Sequence, residues 1–349
     1  MKQSSIKLPA SLRSLGAVSR IGRRGGALLA VLWLSAALAA IAFSAAQTVR
    51  AERERTRNQI DGTQADLLAA SAVERGLYYV LGAPISTLPD GTPVNWIPAM
   101  PYLRMTFPSG EALVEMIPES SKIGVNTAPP ELLARLIIAL GVAPAAALQM
   151  AAAIDYARTP LVSGPDWGDF IQQAGQTFRV PHASFEQIEE LLSVSGITPE
   201  LFYGRVERTP DGAWTTRSGL RDCLTVYSGQ GAHDINSVQP AVMLAEGVDP
   251  STVKNIVALR KQRPISPEQL GEMRPALGDT AGQFQLGGGK VLMLRATARV
   301  RAADGRLGEL RRTSTLTVLL APNFDPRGYR ILNARSGPAE RPLEETWAW

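Results

Sequence analysis

The spacing of apolar and polar positions changes several times along this chain, and each change predicts a different element. From Ala27 to Ala46 there is no spacing to read: 20 residues rich in Ala and Leu run without a charge. At about 1.5 Å of rise per residue, such a helix matches the roughly 30 Å hydrocarbon layer of a bilayer. Beyond Ala46 the chain turns polar with no helix breaker. Ile60, Thr63, Leu67, Ala70, Val73, Leu77 and Leu81 then follow at steps of three or four. That period predicts an amphipathic helix continuing the apolar one to about Leu81, where Gly82, Pro84 and Pro89 stop it.

The rhythm then shifts to alternation. Tyr102 to Phe107 and Glu111 to Ile117, separated by Pro108-Ser109-Gly110, read as a β-hairpin. A second hairpin comes late: Leu292, Leu294, Ala296, Ala298 and Val300 share one face, Ala303-Asp304-Gly305 turns, and Leu316, Val318 and Leu320 return. Leu224 to Tyr227 offers one more strand. The sheet is therefore split in sequence.

Between its parts a Gly, β-branched residue, any residue, Pro pattern occurs at Gly141, Gly196 and Gly247, at intervals of 55 and 51 residues. Gly ends a helix and Pro begins the next, so three helix-turn-helix units are expected. The outer two correspond more closely: Asn126-Thr127-Ala128-Pro129-Pro130 matches Asn236-Ser237-Val238-Gln239-Pro240, and Ile154 to Arg158 matches Ile256 to Arg260. A duplicated helical unit follows.

The reading is α+β: a long N-terminal helix packed on an antiparallel sheet, with an all-α insertion between strands. Its segments are a basic leader over 1–25, a membrane helix over 26–46, and the helix's continuation over 47–82. The first part of the sheet spans 83–120, the first helical part 121–220, a strand 221–230, the duplicated unit 231–285 and the C-terminal hairpin 286–321. A Pro-punctuated tail, 322–349, has no amphipathic period and is expected to lack order, although Trp347 and Trp349 are unusual there.

Charge refines this picture. Lys2, Lys7, Arg13, Arg20, Arg23 and Arg24 precede the apolar run with no acid among them, which sets the N-terminus on the cytoplasmic side. Setting these six aside from 36 Lys and Arg leaves 30 against 32 Asp and Glu, a body near −2. A body of that sign lacks the usual footprint for nucleic acid. Three readings of the run compete: a secretory signal cut near Phe43-Ser44-Ala45-Ala46, an uncleaved anchor, and a precursor cut at Gly25-Gly26, which loses its cations and keeps its span.

Candidate chemistry is sparse. Cys223 is the lone cysteine and reads as a small buried hydrophobe. His182 and His233 lack partners at metal-ligand spacing and read as solvated or loop histidines. Gly287-Gly288-Gly289-Lys290 precedes a strand and reads as a flexible connection, not a phosphate loop. Glu119, Asp222, Asp234, Asp249 and Asp279 are the oxygen donors available to calcium, with no EF-hand spacing among them. The repeats leave a second function open, a membrane-anchored helix-hairpin-helix DNA binder, although Asp249 opposes a phosphate at its turn.

Taken together, the chain resembles minor pseudopilin K of bacterial type II secretion systems, also called general secretion pathway protein K. The resemblance is carried by Arg24-Gly25 before the Ala-Leu-Leu-Ala-Val-Leu-Trp run, Gln64-Ala65, Val73 to Leu77, Lys122 to Glu131 and Leu224 to Ser228, within residues 20 to 320. It implies a non-enzymatic inner-membrane subunit with a single pass and a periplasmic body. Prepilin peptidase would cut at Gly25 and Gly26 and the new amino terminus would be methylated, leaving Ala27, Leu28, Leu29, Ala30, Val31, Leu32, Trp33 and Leu34 in the membrane helix. Ala30 would stand at mature position five, where most pilins carry Glu, and a subunit with nothing above it needs no such acid to pair with a neighbour's amino terminus. The resemblance further implies a place at the pseudopilus tip, minor pseudopilins I and J and other pseudopilus subunits as partners, no nucleic acid, and no cofactor other than calcium, whose ligands it does not fix.

Overall fold

A computed structural model describes residues 24–97, 100–160, 183–208, 214–227, 231–302, 304–321 and 325–338. The basic leader before Arg24, His182 and the two tail tryptophans lie outside these residues. The chain is α+β and divides into two units, Met1–Ile60 and Asp61–Trp349.

Helix α1 spans Arg24–Val80, so it begins two residues before the expected membrane helix and ends one residue short of Leu81. Within the first unit the described residues are helical throughout, and those from Gly26 on are exposed. Two of its hydroxyls bond back to the helix: Ser35 Oγ donates to Val31 O at 2.7 Å and Thr48 Oγ1 to Ser44 O at 3.0 Å. This back-bonding satisfies those two hydroxyls without water.

The second unit starts with the last turns of α1. β1 (Pro84–Thr87) and β2 (Pro93–Asn95) form a small hairpin, followed by β3 (Tyr102–Phe107) and β4 (Gly110–Pro118). Next come β5 (Ile123–Gly124), α2 (Pro130–Ala139), α3 (Pro144–Arg158), a 3-10 segment (Ile188–Ser193) and α4 (Pro199–Tyr203). β6 (Arg205–Arg208), β7 (Trp214–Arg217), α5 (Leu220–Cys223) and β8 (Leu224–Thr225) complete the first helical part. β9 (His233–Asp234), α6 (Pro240–Glu246), α7 (Pro250–Gln262), α8 (Pro267–Leu277) and β10 (Phe284–Gln285) make the second. The chain then returns through β11 (Val291–Arg301), β12 (Leu307–Leu320) and β13 (Tyr329–Pro338).

The main sheet has the order β13-β12-β11-β4-β3 and is antiparallel throughout. Both expected hairpins are present, and Leu292, Leu294, Ala296, Ala298, Leu316 and Val318 share the face that packs on α1. Two expectations fail here. Residues beyond 322 are not structureless in their described part, because Tyr329–Pro338 pairs along β12 as the fifth strand. Its apolar and polar residues hardly alternate, since an edge strand has little face to bury. Leu224–Thr225 is not in the sheet but pairs in parallel with Ile123–Gly124 inside the helical insertion.

The buried stripe of α1 also differs from the one its large residues suggest. Gly62, Ala65, Leu68, Ala69, Ala72, Val73, Gly76 and Leu77 are buried, whereas Thr63, Leu67, Ala70 and Leu81 are exposed. Close approach is the reason. A Cβ on Gly76 would lie 3.0 Å from Val114 and 3.2 Å from Leu294, so small residues are required where helix meets sheet. Small volume at Ala65, Ala69, Ala72 and Gly76, together with the apolar Leu68, Val73 and Leu77, selects that face.

Two cores result. One lies between α1 and the sheet; the other fills the helical insertion around Leu133, Leu136, Ile154, Leu191, Phe202, Met243 and Ile256. Cys223 is fully buried in the second, where burial pushes its thiol well up from the ordinary range and suppresses the nucleophilic thiolate.

Candidate functional site

Two regions carry the functional expectations, and each is taken within its own unit. The first is the start of α1. Gly25 and Gly26 lie inside the helix, and a Cβ at Gly26 would meet nothing within 4 Å. Ala27, Leu28, Leu29, Ala30, Val31, Leu32, Trp33 and Leu34 are exposed on every side, Leu28 at 73% and Trp33 at 69%. A helix apolar all round with no protein covering it has the composition of a membrane span, and by length and composition α1 is such a helix.

The second region is the insertion, where the structure holds two matched units instead of three. In each, a short strand leads into an Asn turn, a helix, a Gly turn, a second helix and a returning strand. Gly141 and Gly247 take left-handed φ of +96° and +100°, and Pro144 and Pro250 open the next helices. The middle pattern at Gly196 has the same turn, but a 3-10 segment precedes it and only α4, five residues long, follows. It belongs to a connection within the first unit.

The match extends to individual hydrogen bonds. Asn126 Nδ2 donates to Phe185 O at 2.9 Å and its Oδ1 accepts from Phe185 N at 2.8 Å. Asn236 does the same with Ile265, at 3.1 and 2.8 Å. Arg158 donates to Val125 O and Ala128 O, both at 2.6 Å; Arg260 donates to Ile235 O and Val238 O at 3.1 and 2.7 Å. Each Asn and Arg thus clamp one turn through its backbone polar groups, which have no ladder to join. The sequence correspondence between Arg158 and Arg260 was the signal for this clamp, although the carbonyls they reach are not legible there. Between the units α2 packs on α6, and Arg135 Nε donates to Ala245 O at 2.7 Å.

The insertion joins the sheet through buried polar groups. His233, expected in solvent, is buried: Nδ1 lies 2.7 Å from Ser120 O and Nε2 3.1 Å from Glu246 Oε1. Asp234 is also buried, with Oδ1 accepting from Gly287 N at 2.7 Å and Oδ2 from Ser237 Oγ at 2.5 Å. Burial pushes its carboxyl up from the ordinary range, outweighing the hydrogen bonds from Ser237, Gly287 and Asn236. The Gly287-Gly288-Gly289 connection is consequently tied, with Ser120 Oγ also donating to Gly288 O at 3.1 Å, and all three glycines sit at left-handed φ.

On the sheet face away from α1, Arg295 and Glu115 stand directly opposite on β11 and β4 and form a buried bidentate pair at 2.7 and 3.0 Å. Strand alternation marks both as polar-face residues, but only the insertion covering that face makes them buried. Nearer the edge, Arg335 of β13 pairs with Glu189 of the 3-10 segment, holding the Glu189 carboxyl below its ordinary range.

The expected oxygen donors do not converge. Asp222 accepts from Gly219 N at 3.0 Å, Glu119 pairs with Lys122 at 3.0 Å, Asp234 serves the glycine connection, and Asp249 accepts from Ser251 N at 2.8 Å. Among the described residues no three His, Cys, Asp or Glu side chains group as a metal site. Asp249 also bears on the nucleic-acid reading, since its carboxylate already occupies an amide of the hairpin turn where a phosphate would bind.

No family model matches the chain, and no curated protein matches it. Among solved structures it is similar to a chain of the crystal structure of the GspK-GspI-GspJ complex from the type 2 secretion system of enterotoxigenic Escherichia coli, with 14% identity and a TM-score of 0.49 over 82% of this chain and 100% of that one.

Proposed function

We propose that the chain is a minor pseudopilin of a type II secretion system, a non-enzymatic subunit at the pseudopilus tip that helps initiate assembly for export of folded proteins across the outer membrane. The observation carrying this reading is α1, one helix from Arg24 to Val80 that is charge-free from Gly25 to Val49 and ends as a layer on an antiparallel sheet. Such a helix serves twice, as a span before assembly and as a packing element in the folded body. Gly25-Gly26 at its start supports cleavage by prepilin peptidase followed by methylation, and Ala30 supports a position with no subunit above it. Minor pseudopilins I and J, other pseudopilus subunits and the inner membrane are its partners, with the body in the periplasm.

Mass spectrometry of the mature N-terminus tests the proposal. A chain beginning at Gly26 with a methylated amine is expected. An intact Met1, or a start after Ala46, overturns it. Copurification of two pilin-like proteins with the affinity-tagged full chain tests the partners separately.

A further inference from the structure

We propose that the helical insertion is hinged to the main sheet and swings away from it as a body, with His233 and Asp234 as the clasp that sets its resting angle. The chain passes between the two only twice, outward from Pro118 through Glu119–Ser121 and back from Gln285 through Gly287, Gly288 and Gly289 to Val291. Pro118 pairs with Leu292, so the two crossings stand side by side at one end of β4 and β11. Adjacent connections define an axis, and three glycines can absorb the backbone rotation about it. Two residues of β9 hold one crossing each. His233 Nδ1 meets Ser120 O of the outward crossing, and Asp234 Oδ1 accepts from Gly287 N of the return. Ser120 Oγ then joins the crossings to each other at Gly288 O.

Away from this axis the two faces are able to part. They meet around a cavity of about 90 Å³ whose wall includes Thr317, Asn333 and Arg335 of the sheet and Gln187, Asp222 and Tyr227 of the insertion. The two apolar cores stay separate across it. At the edge strand β13 the part-exposed pair of Arg335 and Glu189 fastens the far side. Polar groups parted here are taken up by water, and the buried Arg295 and Glu115 regain their hydration, so opening costs less than parting an apolar interface of the same area.

Thiol labelling of the full chain in detergent micelles tests the swing. Thr317→Cys places a reporter on the cavity wall, at a buried position of β12. Two other thiols serve as controls: Cys223, fully buried in the insertion's own core, and Val318→Cys in a separate variant, on the α1 side of the same strand. The thiol at 317 should react with a soluble maleimide while both controls stay unreactive. His233→Ala should raise its rate about tenfold, the scale of two hydrogen bonds lost. Ser120→Ala, which unties Gly288 alone, should raise it less, by about threefold. Labelling at 317 no faster than at the controls overturns the proposal, as does reaction of all three thiols in step, which marks unfolding. A rate at 317 indifferent to both untying substitutions overturns the clasp.

Discussion

Asp234 occupies the place that Gly124 holds in the first helical unit, and that exchange puts a carboxyl where the first unit has none. Because its folded pKa is raised by burial, the stability it contributes is fully present below the unfolded value of about 3.9 and is lost as pH rises through the folded value. Asp234→Asn keeps an acceptor for Gly287 N and removes the charge. Its melting temperature should equal or exceed that of the unsubstituted chain at pH 7.5, with the gap closing toward pH 4. Asp234→Ala, which orphans the Gly287 amide, should lose about 1–3 kcal/mol at both pH values. Arg295→Ala should be costlier, about 3–5 kcal/mol by urea unfolding, since it strands Glu115 uncompensated under the insertion. Neither effect is legible in the sequence. An Asp after a His and an Arg within a strand look solvated until the element that covers them is placed.

Elements divide into those that local pattern specifies and those that contact specifies. The two hairpins of the sheet were legible because alternation is a local signal and one face of each is apolar. The buried face of α1 was not, because Ala and Gly register poorly in a hydrophobic count while being what close packing requires. β13 escaped for a related reason, its order coming from the β12 backbone and from Arg335 on Glu189. Arg335→Gln should test that tie. The lowered Glu189 pKa gives stability present above about pH 4.3 and lost as pH falls through the folded value, so the variant should flatten the acid limb of a melting-temperature profile. The change should stay within about 1 kcal/mol for a part-exposed pair. The clamps offer a comparison within one chain: Asn236→Ala, at a buried site, should cost about 1–3 kcal/mol, and Asn126→Ala, at a partly buried one, less, in parallel urea titrations.

At the scale of the molecule, processing at Gly25 and Gly26 is proposed from charge and small residues alone, because a leader ahead of an apolar helix is a linear signal. The proposed role makes Gly25→Leu informative: the precursor should accumulate at full length yet stay in the membrane fraction, by immunoblot of fractionated cells. The helical insertion was legible as repeats but miscounted, since a Gly-x-x-Pro turn marks a bend without fixing the length of the helices it joins. The two clamps carry a last consequence. One holds Phe185, 27 positions after Arg158; the other holds Ile265, 5 positions after Arg260. The same fastening serves either distance, so the path between its ends is not what secures them.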